Sequence, residues 1–513
     1  MAVRSYILAH DLGTTGDKAS LYTAEGYLRH STFFGYETQY LFPNWAEQDP
    51  KDWWQAVCAT TRQLLAEAQV RPGEIACVAF SGQMMGCVAV DEAANPLRNS
   101  IIWADQRGVE QAERLAEAVS PERIYQITGH RVSPAYSAAK IMWVRDHQPE
   151  IFRQTYKFLH AKDFIVARLT GRFVTDYSDA AGMNLYDLRK WDWSSEILKA
   201  LDLDPALLPE LHSSVDVVGE VTSDAAEATG LVAGTPVVLG GGDGPCAATG
   251  AGVVAQGRAY NYLGSSSWIG VLTPEPILDP LMRTFTFPHL IPGMFTPTGT
   301  MQSAGGSYQW LRDVVCRAEV QSADRLELTA YELMNAQAQM SEPGAKGLIF
   351  LPYLLGERSP RWNPKTRGVL VGLTRRHGRA ELIRAVLEGI SFNLRIILDA
   401  FREQGAQVEK MWVIGGGARG RLWRQILADM YGLPILKPKL LEEATSLGAA
   451  LAGGVGVGLF PDFNVVQDLV EIEEVTQPDR RAQARYDELY PIFELCYQSL
   501  LPVYDALAEL EWA

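Results

Sequence analysis

The N-terminal segment 6–21 has the pattern of a strand, a turn of glycine and threonine, and a second strand, and it restricts the possible folds more than any other segment. The apolar run delivers Asp11 to a turn that contains Gly13, Thr14 and Thr15. Successive backbone N–H groups in such a turn can form an anion-binding nest, with the threonine hydroxyls as further donors. A carboxylate at the end of a buried strand is well placed to reach a phosphate-bound Mg²⁺, directly or through water. The segment predicts a nucleotide phosphate site, and the alternative is an ordinary hairpin with an aspartate at its tip.

A related pattern recurs about half the chain later. The sequence predicts a strand over 236–243, a small-residue helix over 246–254, and strands over 259–263 and 268–272. The turn between the last two strands contains Gly264, Ser265 and Ser266, so a hydroxyl- and glycine-rich turn again joins two strands. Two such turns facing each other across a cleft would hold a polyphosphate from both sides. Because strands and helices also alternate in the first half, the chain as a whole predicts an α/β fold.

Length, charge and cysteine usage exclude several classes of function. A chain of 513 residues is too long for one core, so two domains are expected. The net charge of −15 disfavours a nucleic-acid partner, which would require a basic face. The six cysteines are scattered without a C-x-x-C pair, which is typical of free thiols in a reducing compartment. With neither a signal peptide nor a membrane span in the pattern, the sequence predicts a cytoplasmic protein with no membrane association.

Two glycine segments in the C-terminal half are candidate nucleotide contacts: Gly305 with Gly306, and Gly416 and Gly417 with Arg419. The second segment follows a predicted strand over 411–414 and precedes a predicted amphipathic helix over 422–431. Glycines let a ligand approach the backbone closely, and a helix N-terminus favours an anion or a polar edge. The alternatives are a loop that only needs positive φ angles and, for the first segment, a simple turn.

The order of these elements resembles the FGGY family of carbohydrate kinases, within the actin-like ATPase superfamily, over essentially the whole chain. The segment 140–147, preceded by Ser137, is similar to the first signature of the family, although Ala135 departs from its usual opening residue. Residues 368–373 and 381–388 resemble the second signature without a departure. Three short segments are most similar to the xylulokinase subgroup: 81–84, 103–107 and 242–243.

The resemblance implies two actin-like (ribonuclease H-like) ATPase domains with a cleft between them. We expect an N-terminal kinase domain over residues 1–240 with the sugar and phosphate side, and a C-terminal kinase domain over 241–460 with the nucleotide side. Residues 461–513 are expected to form a C-terminal helical segment that packs on the domains, because apolar and charged residues alternate at helical spacing over 479–512. That segment could also mediate a homodimer.

Two aspartates are the candidate catalytic residues. A sugar hydroxyl is a poor nucleophile at neutral pH, so phosphoryl transfer benefits from a carboxylate that accepts its proton. Asp243 ends a predicted strand beside three glycines that admit a ligand, and the resemblance assigns the catalytic base of the family to it. Asp11 and Asp243 are the candidate Mg²⁺ ligands. Lys18 is close enough in sequence to assist ATP binding, or it is an outward-facing strand lysine.

The two phosphate turns would neutralise the transferring γ-phosphoryl group through N–H and O–H donors. The expected ATP contacts are Gly13, Thr14, Thr15, Lys18, Gly264, Ser265, Ser266, Gly305, Gly306, Gly416, Gly417 and Arg419.

The expected sugar contacts are Gln83, Met84, Met85, Trp103, Asp105, Asp243 and Gly244. A carboxylate such as Asp105 can accept two hydroxyl hydrogen bonds, and the alternative is a salt bridge to Arg107 that caps the following helix. Met85 stands where xylulokinase-like sequences typically have a histidine that contacts the sugar, and Gly244 stands where an asparagine commonly follows the base. A site without these polar partners discriminates differently among hydroxylated substrates, although Met85 could equally be core packing.

The resemblance implies an ATP- and Mg²⁺-dependent kinase whose partners are ATP and a small-molecule sugar. The expected reaction converts D-xylulose to D-xylulose 5-phosphate. Gluconate, ribulose, glycerol and other polyols remain alternative acceptors. An alternative from a different class is an actin-like ATPase switch that has no sugar substrate.

Overall fold

The computed structural model describes residues 5–439 and 443–510, which form two large mixed β-sheets, five two-stranded sheets and the helices around them. The strands are β1 Tyr6–Leu12, β2 Gly16–Thr23, β3 Leu28–Gly35, β4 Glu47–Gln48, β5 Ile75–Gly82, β6 Val88–Val90, β7 Ser100–Ile101, β8 Lys157–Leu159, β9 Val174–Asp176, β10 Tyr186–Asp187, β11 Asp192–Trp193, β12 Glu210–His212, β13 Val217–Glu220, β14 Pro236–Gly242, β15 Gly257–Leu263, β16 Ser267–Val271, β17 Phe285–Pro288, β18 Phe295–Met301, β19 Ile349–Leu351, β20 Val369–Val371, β21 Val408–Ile414, β22 Ile435–Pro438 and β23 Ile472–Thr476.

The α-helices are α1 Pro50–Ala68, α2 Val109–Val119, α3 Pro121–Thr128, α4 Ser137–His147, α5 Pro149–Gln154, α6 Ala161–Thr170, α7 Tyr177–Ala181, α8 Ser195–Ala200, α9 Ser223–Thr229, α10 Asp243–Gly250, α11 Gly305–Val314, α12 Arg317–Ala323, α13 Ala330–Ala338, α14 Arg379–Glu403, α15 Arg421–Tyr431, α16 Ala444–Gly456, α17 Val466–Leu469 and α18 Arg480–Ala508. Within the described residues, no helix combines the length and the apolar character needed to cross a membrane.

The two large sheets repeat one arrangement of strands. The first has the order β13-β14-β5-β1-β2-β3, and the second has the order β17-β18-β16-β15-β21-β22-β23. In the first sheet β1 pairs antiparallel with β2 and parallel with β5, and in the second sheet β15 pairs antiparallel with β16 and parallel with β21. The predicted repetition of strand, turn and strand therefore corresponds to two equivalent hairpins, one in each sheet.

Two helices of small residues join the halves of the molecule. Helix α10 packs against apolar side chains of the second sheet, and α16 packs against apolar side chains of the first. The two helices also lie against each other where each has a glycine. A Cβ built at Gly250 would lie 1.8 Å from the Ala444 oxygen, and one at Gly448 would lie 2.0 Å from the Cys246 oxygen. Only glycine permits this close approach, which brings the two sheets to a shared cleft.

The start of α10 differs from the sequence prediction. The helix begins at Asp243, three residues before the predicted start at Cys246, so Asp243 is the first residue of a helix and not the last residue of a strand. Gly242 is extended and acts as the cap, and a carboxylate in the first turn interacts favourably with the helix dipole. The helix ends early because Gly252, with φ of 91°, leaves the helical region.

The C-terminal residues complete the second half of the molecule. Strand β23 extends the second sheet, and α18 buries Tyr486, Phe493 and Tyr497 in the core beneath that sheet. The end of the predicted segment, residues 511–513, lies outside the described residues. The first sheet takes its strands from residues 6–242 and the second from residues 257–476, and the domain limits of 1–240, 241–460 and 461–513 stay predictions.

Candidate active site

The N-terminal hairpin places Asp11 beside a cavity of about 330 Å³. In the ladder Asp11 lies opposite Lys18 on β2 and beside Ser81 on β5. The Ser81 hydroxyl donates to Asp11 Oδ1 at 2.9 Å, which fixes the carboxylate at the end of the sheet. Asp11 and Gly13 line one wall of the cavity, and the second sheet supplies the facing wall.

Side-chain donors hold the first turn through its carbonyl oxygens. Tyr36 Oη donates to the Gly13 oxygen at 2.5 Å, and Gln48 Nε2 donates to the Thr14 oxygen at 2.7 Å. Within residues 5–439 and 443–510, no acceptor takes the backbone N–H of Thr14 or Thr15. Two adjacent N–H groups without protein partners have the donor pattern of an anion nest.

Asp243 lies in the same cavity as Asp11. Its side chain is exposed to the cavity, and its Oδ1 accepts the Gly244 N–H at 2.7 Å. The second sheet supports this position, because Tyr260 Oη donates to the Gly244 oxygen at 3.1 Å and Trp268 Nε1 donates to Tyr260 Oη at 2.8 Å. The start of α10 follows β14 of the first sheet and is thus anchored to the second sheet.

Both carboxyl groups have raised pKa values. Burial among protein atoms raises the pKa of Asp11 to about 6, against the lowering effect of the Ser81 hydrogen bond. The Asp243 side chain is open to the cavity, but the protein atoms around the cavity separate it from bulk water. This loss of hydration and the negative charge of Asp11 raise the pKa of Asp243 to about 7. Two carboxylates that repel each other in one cavity are stabilised by a cation, and carboxylate oxygens are the ligands that Mg²⁺ prefers. The donor set fits Mg²⁺.

The second turn is pinned to the start of α11. The N–H groups of Gly305 and Gly306 donate to the oxygens of Gly264 and Ser265, each at 2.9 Å, and Gly264 N–H donates to the Ser266 oxygen at 2.9 Å. A Cβ at Gly305 would lie 2.3 Å from the Gly264 oxygen, so the close contact requires glycine. Gly305 and Gly306 therefore support the turn through the N–H groups that a phosphate contact would otherwise use.

A larger cavity of about 610 Å³ adjoins the first one. Six of the predicted nucleotide contacts line it: the four glycines Gly264, Gly305, Gly416 and Gly417, together with Ser265 and Arg419. Gly416 and Tyr262 line both cavities, so the two spaces lie next to each other at these residues. A Cβ at Gly416 would have no atom within 4 Å, which shows that this glycine faces open space.

Sequence reasoning missed the wall of the larger cavity that comes from α11, α13 and α15. This wall contains Tyr308, Tyr331, Asn335 and Trp423. Tyr308 stacks on Tyr331 with a centroid separation of 5.3 Å, and its hydroxyl donates to Asn335 Oδ1 at 2.9 Å. An aromatic pair beside an amide suits a flat heterocycle with polar edges. These residues lie in ordinary amphipathic helices, where nothing in the local pattern distinguishes a cavity wall from core.

Lys18 crosses between the two halves of the molecule. Its ammonium lies 2.5 Å from Glu443 Oε2, just before α16, and both side chains are partly exposed. The Lys18 charge also acts to lower the pKa of Asp11, so it is near the cavity. Lys18, a predicted ATP contact, is thus held by the carboxylate of Glu443, which is distant in sequence.

Three predicted sugar contacts lie against the first turn or against Gly242, although, among the described residues, the side chains that line the smaller cavity include only Asp243 of the predicted set. Trp103, which is 36% exposed, donates from Nε1 to Thr14 Oγ1 at 2.9 Å. Gln83 is buried and donates to the Gly13 oxygen at 3.4 Å and to Gln48 Oε1 at 2.8 Å. Met84 packs on Gly242, where an added Cβ would lie 2.5 Å from the methionine sulfur. These side chains surround the phosphate turn and the residue before Asp243.

Met85 has an unusual backbone conformation. Its φ is 61°, in the left-handed region that side chains other than glycine and asparagine rarely adopt. The fully buried Lys140 maintains it, because its ammonium donates to the oxygens of Met85, Ile102 and Ala135 at 2.6, 2.8 and 2.6 Å. Gly244, the second position that departs from the xylulokinase pattern, has open space at its Cβ position.

Asp105 is fully buried and engaged by other protein groups. Arg107 Nη2 lies 2.7 Å from Asp105 Oδ2, and Ala46 N–H donates to the same oxygen at 2.6 Å. The structure therefore shows the salt bridge that the sequence left as the alternative. A sugar contact by Asp105 would require this pair to open, and that role stays a prediction.

Comparison with known proteins accounts for nearly the whole chain. A family model described as "FGGY family of carbohydrate kinases, N-terminal domain" matches residues 6–250, and the corresponding C-terminal domain matches residues 259–457. A xylulose kinase from Escherichia coli is 34% identical over 495 residues, which cover 96% of this chain and 99% of the relative. A gluconokinase from Bacillus subtilis is 31% identical over 490 residues, which cover 95% of each chain.

The similarity extends to a solved structure. A ligand-bound xylulose kinase from Lactobacillus acidophilus superposes with a TM-score of 0.91 at 27% identity, and covers 98% of this chain and 99% of that chain. The predicted fold, α/β with two actin-like ATPase domains, is thereby confirmed.

Proposed function

The chain belongs to the FGGY family of carbohydrate kinases, and from this membership we propose that it phosphorylates D-xylulose to D-xylulose 5-phosphate. As a member of this family it is a phosphotransferase that uses ATP as donor and a sugar hydroxyl as acceptor. The single observation that supports the catalytic proposal is that Asp11 and Asp243 line one cavity, together with Gly13 of the first phosphate turn and Tyr262 and Trp268 of the second sheet.

Asp243 is the proposed general base. Its side chain is open to the cavity and carries a pKa of about 7, which suits a group that must accept a proton near neutral pH. It removes the hydroxyl proton as the sugar oxygen forms a bond to the γ-phosphorus. The bond from that phosphorus to the β–γ bridging oxygen breaks, and ADP leaves with the electron pair.

The phosphate turns are the proposed source of charge stabilisation. The N–H groups of Thr14 and Thr15 donate to the phosphoryl oxygens from the first sheet, and the turn at Gly264–Ser266 donates from the second. Asp11 and Asp243 would hold Mg²⁺, which when bound neutralises phosphate charge. Closure of the two halves around both substrates would exclude water and limit ATP hydrolysis.

The nucleoside is proposed to occupy the larger cavity. The ring pair Tyr308 and Tyr331 and the amide of Asn335 offer stacking and a polar edge, while Gly416 gives room beside the backbone. Because Gly416 also lines the smaller cavity, a nucleotide placed here directs its phosphates towards Asp11 and Asp243.

The identity of the sugar rests on the xylulokinase-like segments 81–84 and 103–107 and on the names of similar proteins. Gluconate is the second candidate, since the gluconokinase from Bacillus subtilis is nearly as similar. Met85 and Gly244 remove two polar contacts that the xylulokinase pattern would supply, which changes the balance among hydroxylated acceptors.

The experiment is coupled ADP release with ATP and Mg²⁺ against D-xylulose, D-ribulose, gluconate and glycerol, followed by phosphorus NMR of the product. We expect kcat/KM to be highest for D-xylulose and the product to carry phosphate on O5. A higher kcat/KM for gluconate would replace the proposed substrate. Turnover that no sugar stimulates would favour an actin-like ATPase switch.

We also propose a cytoplasmic homodimer. The six cysteines are all unpaired, which suits a reducing compartment. On α18 the side chains of Ile492, Leu495 and Val503 are exposed and suit a contact with a second copy. Light scattering coupled to size-exclusion chromatography would give the mass of the particle, and a monomer would contradict this proposal.

A further inference from the structure

Five ionisable side chains without solvent exposure meet beneath the ends of β5 and β14: His160, Lys162, Asp163, Asp176 and Asp179. We call this group the buried ionic network. The Lys162 ammonium lies 2.6 Å from Asp163 Oδ1, 3.1 Å from Asp176 Oδ1 and 3.4 Å from Asp179 Oδ2. The network lies directly against the sheet, because a Cβ at Gly82 would be 2.8 Å from Lys162 Cβ.

One end of the network reaches the residue before the proposed base. Ser178 Oγ donates to Asp176 Oδ2 at 2.5 Å and accepts the backbone N–H of Gly242 at 3.0 Å. Gly242 caps α10, whose first residue is Asp243. The Asp176 carboxylate therefore holds, through one hydroxyl, the backbone N–H of the residue directly before the proposed base.

The other end reaches the loop at Met85–Gly86, which contains a predicted sugar contact. Asp179 Oδ1 lies 2.5 Å from His160 Nδ1, and His160 Nε2 lies 2.8 Å from Ser137 Oγ. Ser137 Oγ in turn donates to the Gly86 oxygen at 2.7 Å. Gly86 directly follows Met85, so the network ends at the peptide beside a predicted sugar contact.

The hydrogen bonds fix donor and acceptor at the Ser137 end of the network. Ser137 has one hydroxyl proton, and the Gly86 oxygen can only accept, so Ser137 Oγ must accept from His160 Nε2. Burial raises the pKa of Asp179, but its interactions with His160 and Lys162 outweigh burial and the net shift is downward. The Asp179 carboxylate thus joins His160 Nδ1 to the Lys162 ammonium.

An ordinary stabilising role does not require this arrangement. Removing ions from water is costly, and apolar side chains of similar volume often stabilise a core equally well. The distinctive feature of this network is that both ends terminate on backbone groups of the proposed active site. Hydrogen-bonded charges of fixed geometry can hold two segments at a set separation.

We propose that the buried ionic network is a positioning device that fixes the loop at Met85–Gly86 relative to Asp243. Ser178, His160 and Ser137 are positioning residues in it, because they act through backbone groups. This inference rests on the proposed function, which makes Asp243 the general base and Met85 a sugar contact. It predicts separate effects at the two ends, with kcat sensitive to the Gly242 end and sugar KM sensitive to the Gly86 end.

The chain offers a matched pair of variants for the Gly242 end. Ser178 and Ser214 are both buried and both donate to Asp176 Oδ2, at 2.5 and 3.0 Å, but only Ser178 also accepts from Gly242. We expect Ser178→Ala to lower kcat about tenfold, because a small displacement of the base is costly, while Ser214→Ala stays within about twofold of the unmodified chain. Equal loss of kcat in the two variants, or none in either, would overturn the proposal.

Ser137→Ala tests the other end and does not depend on Ser178→Ala folding. We expect it to raise the KM for the sugar about fivefold or more with the KM for ATP unchanged. A loss of stability without a change in either KM would mean that the network is only structural, and would overturn the proposal.

Amide hydrogen exchange gives a readout that needs no substrate. Ser178→Ala should speed exchange in peptides that contain Gly242, and Ser214→Ala should not, because only the first variant removes the acceptor of that N–H. If the unmodified chain phosphorylates no sugar, the proposed function fails, and the exchange comparison still decides the inference. Equal exchange at Gly242 in the two variants would overturn it.

Discussion

Asp11, at the end of β1, and Asp243, at the start of α10, line one cavity, and after burial the charge of Asp11 is the next cause of the raised pKa of Asp243. The two residues come from equivalent places where a buried strand of the first sheet reaches the cleft. Their repulsion favours a proton or a cation between them. A base that is partly protonated near neutral pH therefore arises from the fold itself.

The first prediction concerns the pH dependence of catalysis. Because the base must be ionised and the pKa values of Asp11 and Asp243 are about 6 and about 7, kcat/KM for the sugar should fall as the pH is lowered through this range. Well above a pH of about 7, ionisation of these two groups is complete and should no longer change kcat/KM. The measurement is initial rate against pH at low sugar concentration with constant free Mg²⁺. A profile that stays flat down to pH 5 would contradict the assignment of the base.

The second prediction separates two roles of Lys18. Lys18→Met should raise the KM for ATP about tenfold, because it removes a positive charge near the phosphate site. Glu443→Gln removes the same ion pair but leaves the lysine, so it should change the KM for ATP by less than about threefold. If the two variants raise the KM equally, Lys18 acts only through its pairing with Glu443.

The third prediction tests the continuity of the two cavities. Gly416→Val should fold normally, since a Cβ there meets no atom within 4 Å, yet it should raise the KM for ATP about tenfold by filling the space between the cavities. Gly73→Val is the matched control, because its Cβ position is equally open and it lies outside both cavities. The KM for ATP of both variants, obtained from coupled ADP release, provides the measurement, and an unchanged KM in Gly416→Val would refute this path for the nucleotide.

The fourth prediction addresses the sugar. Gly244→Asn should be accommodated, because its Cβ position is open and its φ is not positive, and it should raise kcat/KM for D-xylulose relative to gluconate about fivefold. Met85→His is suited to the same test, since histidine tolerates the left-handed conformation better than most residues. The ratio of kcat/KM for the two sugars is the quantity to measure. An unchanged ratio in both variants would show that neither position contacts the acceptor.

Features that depend on local pattern could be predicted from the sequence. The hairpin at Asp11, its counterpart at Gly264 and the helix predicted over 422–431 depend on strand alternation, turn residues and helical spacing within short segments. Four glycines predicted as nucleotide contacts line the larger cavity, although the same local pattern also fits a loop that only needs positive φ angles.

Features that depend on contacts between distant segments could not be predicted. The partner of Lys18 is Glu443, and nothing near either residue indicates the other. Tyr308 and Asn335 lie on helices whose polar and apolar residues look like any surface helix. The start of α10 was placed three residues late because the cap is a glycine, which has no side-chain oxygen to mark it.

The measurement that tests the central claim most directly is sugar-stimulated ADP release by Asp243→Asn beside the unmodified chain, with ATP affinity measured separately. Loss of the base should reduce sugar-stimulated kcat by at least about 10²-fold while ATP affinity stays within about threefold. The variant should melt at or above the temperature of the unmodified chain at pH 8, because the folded pKa of Asp243 is raised and its ionisation at that pH opposes folding. A folded variant that retains sugar-stimulated turnover would contradict Asp243 as the base.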